Sequence, residues 1–322
     1  MSALLQPDLV PARSVFAQDL LAGLRQRQKS LSPKYFYDER GSALFDLICD
    51  LDEYYPTRTE MALLQRHAAD IADKIGPHAD LVEFGAGSLH KIRQLLPALQ
   101  APTRFLPLDI SVEHLHRQAA MLRTDFPGLA VQPLAGDFSG PMSLPPLAQD
   151  AARRVGFFPG SSLGNFNPAE ALAFLRQCAS LLAGGGLLIG IDLVKSPERL
   201  HRAYNDTAGV TAAFNKNVLL RANHELDADF DLDAFDHYAY YHPGLQRIEM
   251  HLLSRQAQRV HVCGEAIDFA QGESIHTENS YKFTVPGFQA LALQAGLLPA
   301  AVWCDEDQLF SVHWLVAPAQ PV

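Results

Sequence analysis

The spacing of apolar positions along this chain changes character near residue 80. Before that point hydrophobic residues recur at helical intervals. Val15, Leu20, Leu21 and Leu24 mark a helix within 14–28, and similar patterns cover 42–49 and 58–75. Beyond it, short apolar runs alternate with helical segments. The runs 81–84, 105–109, 131–134, 155–158 and 187–193 are predicted strands, and 91–99, 112–123 and 168–182 are predicted helices. Pro168 suits a first helical turn with Asn167 as its cap. Such alternation predicts a parallel sheet with helices on both faces, joined by right-handed connections.

After Asp192 the pattern breaks. Residues 197–221 have helical spacing, 227–236 form an acidic, turn-rich connector, and 247–253 with 259–262 alternate like the arms of a β-hairpin. The tail from Val302 to Val316 reads as two strands around Asp305-Glu306-Asp307. The expected fold class is therefore α/β: a doubly wound, Rossmann-like domain interrupted by a smaller α+β unit. No repeat or low-complexity tract breaks this plan.

Composition narrows the function. The 322 residues are 48% hydrophobic, enough for a normal core, and carry a formal net charge of −10. That charge argues against a general partner for nucleic acid or anionic membranes, and favours a small-molecule substrate. No apolar run approaches the ~20 residues of a membrane span. The four cysteines form no C-x-x-C pair, which suits a reducing cytoplasm. The histidines include no H-E-x-x-H, so no metal site is expected.

The chemistry gathers where predicted strands end. Leu81-Val82-Glu83-Phe84-Gly85-Ala86-Gly87 is a buried strand running into a glycine-rich turn. Asp109 ends the second strand, where a carboxylate can accept both hydrogen bonds of a ribose diol. Asp137-Phe138 follows the third, and Pro159-Gly160-Ser161-Ser162-Leu163-Gly164-Asn165 follows the fourth. Ligands of open α/β sheets lie beyond these carboxyl ends. Asp109 and Asp137 are equally suited to capping the turns that follow them, and Asn165 to stabilising its own loop.

The glycine turn departs from an NAD fingerprint, because large His90 stands where the third small residue should be, and no G-K-[ST] supplies a Walker loop. Glu83 ahead of the glycines would repel a pyrophosphate and suit a cationic cofactor. S-adenosylmethionine, with an ammonium, a sulfonium and no phosphate, is the cofactor expected.

Several blocks outside the sheet resemble the histidine-specific Nα-methyltransferases of ergothioneine biosynthesis. They are Lys34-Tyr35-Phe36-Tyr37-Asp38, Gly41-Ser42-Ala43-Leu44-Phe45-Asp46, Glu53-Tyr54-Tyr55-Pro56-Thr57-Arg58-Thr59-Glu60, Arg202-Ala203-Tyr204-Asn205-Asp206-Thr207, Arg247-Ile248-Glu249-Met250 and Thr277-Glu278-Asn279-Ser280-Tyr281-Lys282-Phe283. The likeness also runs through Gly136-Asp137-Phe138, the loop at 160–165 and Asp192-Leu193-Val194-Lys195. It implies a class I methyltransferase domain over 58–196 plus 284–322, and a substrate-binding domain over 1–57 plus 197–283.

The resemblance also implies roles for individual residues. Gly85, Lys91, Asp109, Asp137 and Phe138 would hold S-adenosylmethionine. Tyr54, Asn165 and Tyr204 would grip the α-amino and carboxylate groups of L-histidine, with Gly160 and Ser162 beside them. Glu278 and Ser280 would read the imidazole, Met250 would pack against it, and Tyr37 and Phe45 would lie near the accepting amine. Tyr37 and Asn165 are the implied catalytic pair, orienting the amine by hydrogen bonds. Ser162 stands where the family commonly has threonine, with the hydroxyl retained.

The activity implied is trimethylation of the histidine α-amine to hercynine by a monomeric enzyme. Its rivals are transfer to another amino acid such as tryptophan, a catalytically silent S-adenosylmethionine-binding protein, and a nicotinamide oxidoreductase, which His90 disfavours. A protein or nucleic-acid methyltransferase fits less well, since no basic groove signature is present.

Overall fold

A computed structural model describes residues 14–319; positions 1–13 and 320–322 of the expected domain bounds lie outside the described residues. The described strands are β1 (Lys29–Ser30), β2 (Ala79–Phe84), β3 (Arg104–Asp109), β4 (Ala130–Val131), β5 (Leu134–Ala135), β6 (Arg153–Phe158), β7 (Gly186–Asp192), β8 (Phe235–His242), β9 (Arg247–Ser254), β10 (Gln258–Val262), β11 (Glu265–Phe269), β12 (Ser274–Tyr281), β13 (Leu298–Cys304) and β14 (Phe310–Val316).

The large sheet has the order β13-β14-β7-β6-β2-β3-β4, with β5 also paired to β3. Strands β7, β6, β2, β3 and β4 are parallel, and β14 and β13 extend one edge antiparallel. The chain runs outward from β2 to β3 and β4, then returns to add β6 and β7 on the other side. The order of winding therefore reverses between β2 and β6, which opens a crevice at their carboxyl ends.

Alternation along each strand explains why both faces are covered. Leu81, Phe105, Val155, Phe157 and Leu188 join one core with Leu63, Leu64, Ile71 and Leu115. Their neighbours Val82, Phe84, Leu106, Phe158, Leu187 and Ile189 join a second core with Phe174, Leu175 and Phe288. A strand buried on both sides needs apolar residues at every position, which is what these runs supply.

The smaller sheet has the order β1-β12-β9-β8. One face packs on the helices Val15–Leu24 and Val210–Leu226 through Leu20, Leu24, Phe214, Leu219, Phe235, Leu252 and Ile275. The N-terminal segment thus joins the insertion through both a shared core and the parallel β1–β12 pairing.

Four local expectations are corrected. The helix expected over 91–99 is a single α-turn, Ile92–Leu95, followed by a 3-10 turn over Leu96–Ala98, because Pro97 lacks the N–H that a longer helix needs. The expected helix over 58–75 is two, Tyr55–Arg66 and Ala68–Ile75, with His67 between them. The segment 197–221 also divides, into Pro197–Tyr204 and Val210–Leu226. Here Asp206 accepts the Val210 and Thr211 amides at 2.8 Å each, starting a new helix rather than continuing the old one. The segments 247–253 and 259–262 do not pair with each other. β9 lies between β8 and β12, while β10 turns tightly through Cys263 and Gly264 onto β11.

The two sheets meet at the crevice. Leu193, just past β7, forms a parallel bridge to Phe283, just past β12. The loop after β6 lies against the end of β12, and a Cβ built on Gly164 would sit 2.7 Å from the Tyr281 carbonyl oxygen. Only a residue without a side chain permits that approach. Gly164→Ala is expected to destabilise the fold by about 1–3 kcal/mol, measured as a lowered denaturant midpoint at unchanged slope. An unchanged midpoint would remove this contact as a packing constraint.

Candidate active site

A cavity of about 990 Å³ opens at the carboxyl ends of β2, β3 and β6. It continues into an inner cavity of about 60 Å³ against the smaller sheet. Tyr37, Phe45, Tyr54, Pro56, Gly160, Ser162, Asn165 and Glu278 line both. Gly85, Lys91, Asp109, Asp137 and Phe138 line only the large one, and Tyr204, Met250 and Ser280 only the inner one. Every residue to which the resemblance gives a site role thus lines one or both of these cavities.

The outer wall is shaped by backbone geometry. Gly85 has φ +67°, and a Cβ there would meet the Phe138 ring at 3.0 Å. Phe138 is held edge-on against Phe158, with ring centres 5.5 Å apart. Asp109 is fixed by two amides: Gly87 N–H donates to Oδ2 at 3.1 Å and Ser111 N–H to Oδ1 at 2.8 Å. Each oxygen keeps a further lone pair, so capping and diol binding are compatible. Ser111 also donates its hydroxyl to the Tyr37 carbonyl at 2.7 Å, tying the outer wall to the inner one. At Asp137 burial opposes ionisation. Hydrogen bonds from Ser139 and the Lys34 ammonium outweigh it and hold the carboxyl below its usual range.

Two acidic residues lie behind this wall. Glu60 is buried, pairs with Lys91 Nζ at 2.7 Å and accepts the Gly160 N–H at 2.9 Å. It therefore sets the positions of two lining residues at once. Glu83 is buried, one of its carboxyl oxygens has no protein partner, and burial pushes its carboxyl well above the usual range. A protonated Glu83 offers the outer cavity a hydrogen-bond donor, and an ionised one would attract a cation.

The inner wall is an aromatic arc. Tyr37 stands edge-on to Phe45 and Phe214, with ring centres 5.7 and 5.5 Å apart. Tyr54 spans from Phe45 to Tyr204 at 6.4 Å on either side. Burial raises the Tyr37, Tyr54 and Tyr204 hydroxyls above their usual range, keeping them neutral donors. Past a β-bulge between His276 and Glu278, β12 runs regularly, so that Glu278 and Ser280, two residues apart, face the same cavity. Burial raises the Glu278 carboxyl to about 7, against a smaller opposing pull from the Lys282 ammonium.

Behind the arc lies a buried ionic network that sequence reasoning quoted but left without a role. Asp192 accepts from Lys282 at 2.8 Å, Lys195 at 2.5 Å and the Tyr55 hydroxyl at 2.8 Å. Its own N–H donates to Ser161 Oγ at 2.9 Å, and Ser161 is held in the left-handed region at φ +56°. Lys282 also reaches Tyr204 Oη at 3.0 Å and Ser280 Oγ at 2.7 Å. A charged residue at the end of an apolar run was the signal for Asp192, whereas Lys282 follows the polar run 274–281. Glu60 carried no such signal.

Away from these walls, Glu249, His251 and His276 offer ligand atoms within 4.8 Å of one another. Glu249 is already spent on Arg247 at 2.6 Å, Tyr240 at 2.8 Å and His251 at 3.1 Å. This is a closed hydrogen-bond network, and the Arg247 cation disfavours a metal there.

The sheet order, the crevice and the blocks on both walls agree with one family model, described as histidine-specific methyltransferase, SAM-dependent, which matches residues 16–317. This chain belongs to that family. Its fold is accordingly the class I methyltransferase arrangement, and the family is described as dependent on S-adenosylmethionine. Over 300 residues the chain is 44% identical to the histidine N-alpha-methyltransferase of Mycolicibacterium smegmatis, covering 91% of this chain and 92% of that one. Its identity to the histidine N-alpha-methyltransferase of Mycobacterium tuberculosis is 42%, covering 90% and 91% respectively. The ergothioneine biosynthesis protein 1 of Neurospora crassa is 30% identical over 89% of this chain and 33% of its own length. No helix among the described residues of this family member is long and apolar enough to cross a membrane.

The raised Glu278 carboxyl has a consequence for stability. The folded chain keeps this proton to about pH 7, whereas an unfolded glutamate releases it near its reference value of 4.5. The stabilisation is complete below about 4.5 and is lost as pH rises through about 7, an interval worth about 3 kcal/mol at most. Glu278→Gln, which cannot ionise, should gain on the parent protein between pH 4 and pH 8 in urea unfolding. A gap independent of pH would overturn the assignment.

Proposed function

We propose that this chain transfers methyl groups from S-adenosylmethionine to the α-amine of free L-histidine, three times in succession, giving Nα,Nα,Nα-trimethylhistidine. The observation that carries the proposal is the continuity of the two cavities. The crevice at the sheet ends shares Tyr37, Phe45, Tyr54, Asn165 and Glu278 with an aromatic, carboxylate-bearing pocket against the other sheet. The names of the mycobacterial relatives support the same substrate.

In this reading residues 58–196 plus 284–322 bind the cofactor, and 1–57 plus 197–283 bind the amino acid. The cofactor fits what the outer wall offers. Asp109 retains acceptor capacity for a ribose diol, Phe138 gives an aromatic face beneath Gly85, Asp137 an acceptor for the base, and Lys91 a cation for the carboxylate tail. When bound, the cofactor supplies a methyl group already activated by its sulfonium.

The chain's own residues do the remaining work. Tyr54, Asn165 and Tyr204 hold the α-amino and carboxylate groups, with the Gly160–Ser162 loop closing one side. Tyr37 and Asn165 aim the amine lone pair along the methyl–sulfur axis, at roughly 3–3.5 Å between reacting atoms. Neutral tyrosines leave the amine free to lose its proton to solvent. Phe45 and the tyrosine faces then tolerate the growing quaternary ammonium by cation–π attraction of about 0.5–2 kcal/mol. Glu278 and Ser280 select the imidazole, and Met250 packs beside it.

Mass spectrometry of purified protein with labelled methyl donor and each of the twenty amino acids tests the activity. Histidine carrying three labelled methyl groups is expected, and a product that stops at one would refute the trimethylation. The two walls should also separate by substitution. Asp109→Ala is expected to weaken S-adenosylhomocysteine, and Glu278→Ala to weaken histidine, each by about 10- to 100-fold in calorimetry. Unchanged affinity in either variant would remove that residue from its wall.

A further inference from the structure

Lys282 is a cation with almost no exposure, inside a pocket wall, and the arrangement of its three hydrogens is unusual. Nζ donates to Asp192 at 2.8 Å, Ser280 Oγ at 2.7 Å and Tyr204 Oη at 3.0 Å, so its donor capacity is exhausted within the protein. Tyr204 Oη and Ser280 Oγ lie 2.7 Å apart, with the tyrosine donating. That direction follows from chemistry, because a phenol is the stronger acid and an alkyl hydroxyl the stronger base. Ser280 Oγ therefore accepts twice, from Lys282 and from Tyr204, and both of its lone pairs are filled. Its own hydrogen is the one function left for a ligand.

We infer that Lys282 is a positioning residue that fixes the hydrogen-bond polarity of the substrate wall, making Ser280 a donor beside the acceptor Glu278 and so selecting a neutral imidazole tautomer. This deepens the proposed function and rests on it. Such a wall pairs with a ring bearing one N–H and one nitrogen lone pair. A ring with only an N–H, such as an indole or pyrrole, leaves the Ser280 hydrogen unmatched in a buried site, which a polar pocket penalises strongly.

Charge counting points the same way. Above about pH 7, where Glu278 is ionised, Lys282 and Lys195 contribute two buried cations, and Asp192 with Glu278 contributes two anions. A neutral ring leaves the cluster balanced, whereas an imidazolium would add an uncompensated charge in a place where burial makes that costly. Without Lys282, Ser280 would regain a lone pair and could accept a ring N–H, so donor and acceptor rings would no longer be distinguished.

Nitrogen-15 NMR of ring-labelled L-histidine, bound to the unaltered full chain with S-adenosylhomocysteine, reads the polarity directly. One protonated and one unprotonated ring nitrogen are expected. Two protonated nitrogens would overturn this inference alone, while absence of any histidine binding would overturn the proposed function and the inference together. In Lys282→Met, histidine affinity should fall about tenfold or more. The preference for histidine over β-(pyrrol-2-yl)-L-alanine, expected to be about tenfold or more in the parent, should collapse toward unity. A retained preference would assign Lys282 to scaffolding only. If this variant fails to bind cofactor, the spectrum of the unaltered protein still decides.

Discussion

The site depends on one buried ion pair, Asp192 with Lys282. Asp192 closes β7 of the large sheet and Lys282 follows β12 of the small one, so their contact at 2.8 Å is also a contact between the two architectural units. Burying either charge alone would be prohibitive, and burial does oppose both. Each survives because its partners outweigh that cost. Lys282 and Lys195 hold the Asp192 carboxyl below its usual range, and Asp192 with Tyr204 holds the Lys282 ammonium above its own. Without Asp192, Lys282 would be left with neutral hydroxyls alone, whereas Asp192 keeps Lys195 as a second cation.

From this pair the geometry spreads in three directions. Through the Asp192 N–H it reaches Ser161, and thereby the strained loop that carries Gly160, Ser162 and Asn165. Through Tyr55 it reaches the start of the helix Tyr55–Arg66, whose Glu60 holds Lys91 and the Gly160 amide. Through Lys282 it reaches Tyr204 and Ser280 on the inner wall. One electrostatic contact thus registers the two cavities against each other, and in-line transfer between separate ligands requires that registration. Hydrogen-bonded networks of this kind are rigid only when fully satisfied, and every donor of Lys282 is satisfied here.

The two walls divide the chemistry by polarity. The outer wall works with fixed groups: amides on Asp109, a ring under Gly85, a carboxylate behind Lys91. The inner wall works with neutral hydroxyls and one carboxyl lifted toward neutrality by burial. An amine that must lose protons and gain methyl groups is better accommodated by rings and neutral donors than by fixed charge, since its hydrogen-bonding capacity falls at every step while its positive charge becomes permanent.

Much of this was legible in the chain alone, because the information was local. Runs such as Leu81-Val82-Glu83-Phe84 are apolar at strand length, a glycine at 85 or 87 marks a tight turn, and carboxylates at 109 and 137 close successive strands. Periodicity and turn chemistry act over a few residues, so the doubly wound sheet and the site-bearing loops could be read directly. Specific blocks such as Thr277-Glu278-Asn279-Ser280 then carried a family resemblance.

What the chain could not reveal was non-local. The pairing of β9 with β8 and β12 rather than β10, the bulge between His276 and Glu278, and the helix break that Asp206 imposes each depend on competition among distant or subtly capped segments. Glu60 and Lys282 look like ordinary charged residues in sequence. Only tertiary packing decides which charges lose their water, and a charge without water is governed by the partners that the fold places beside it.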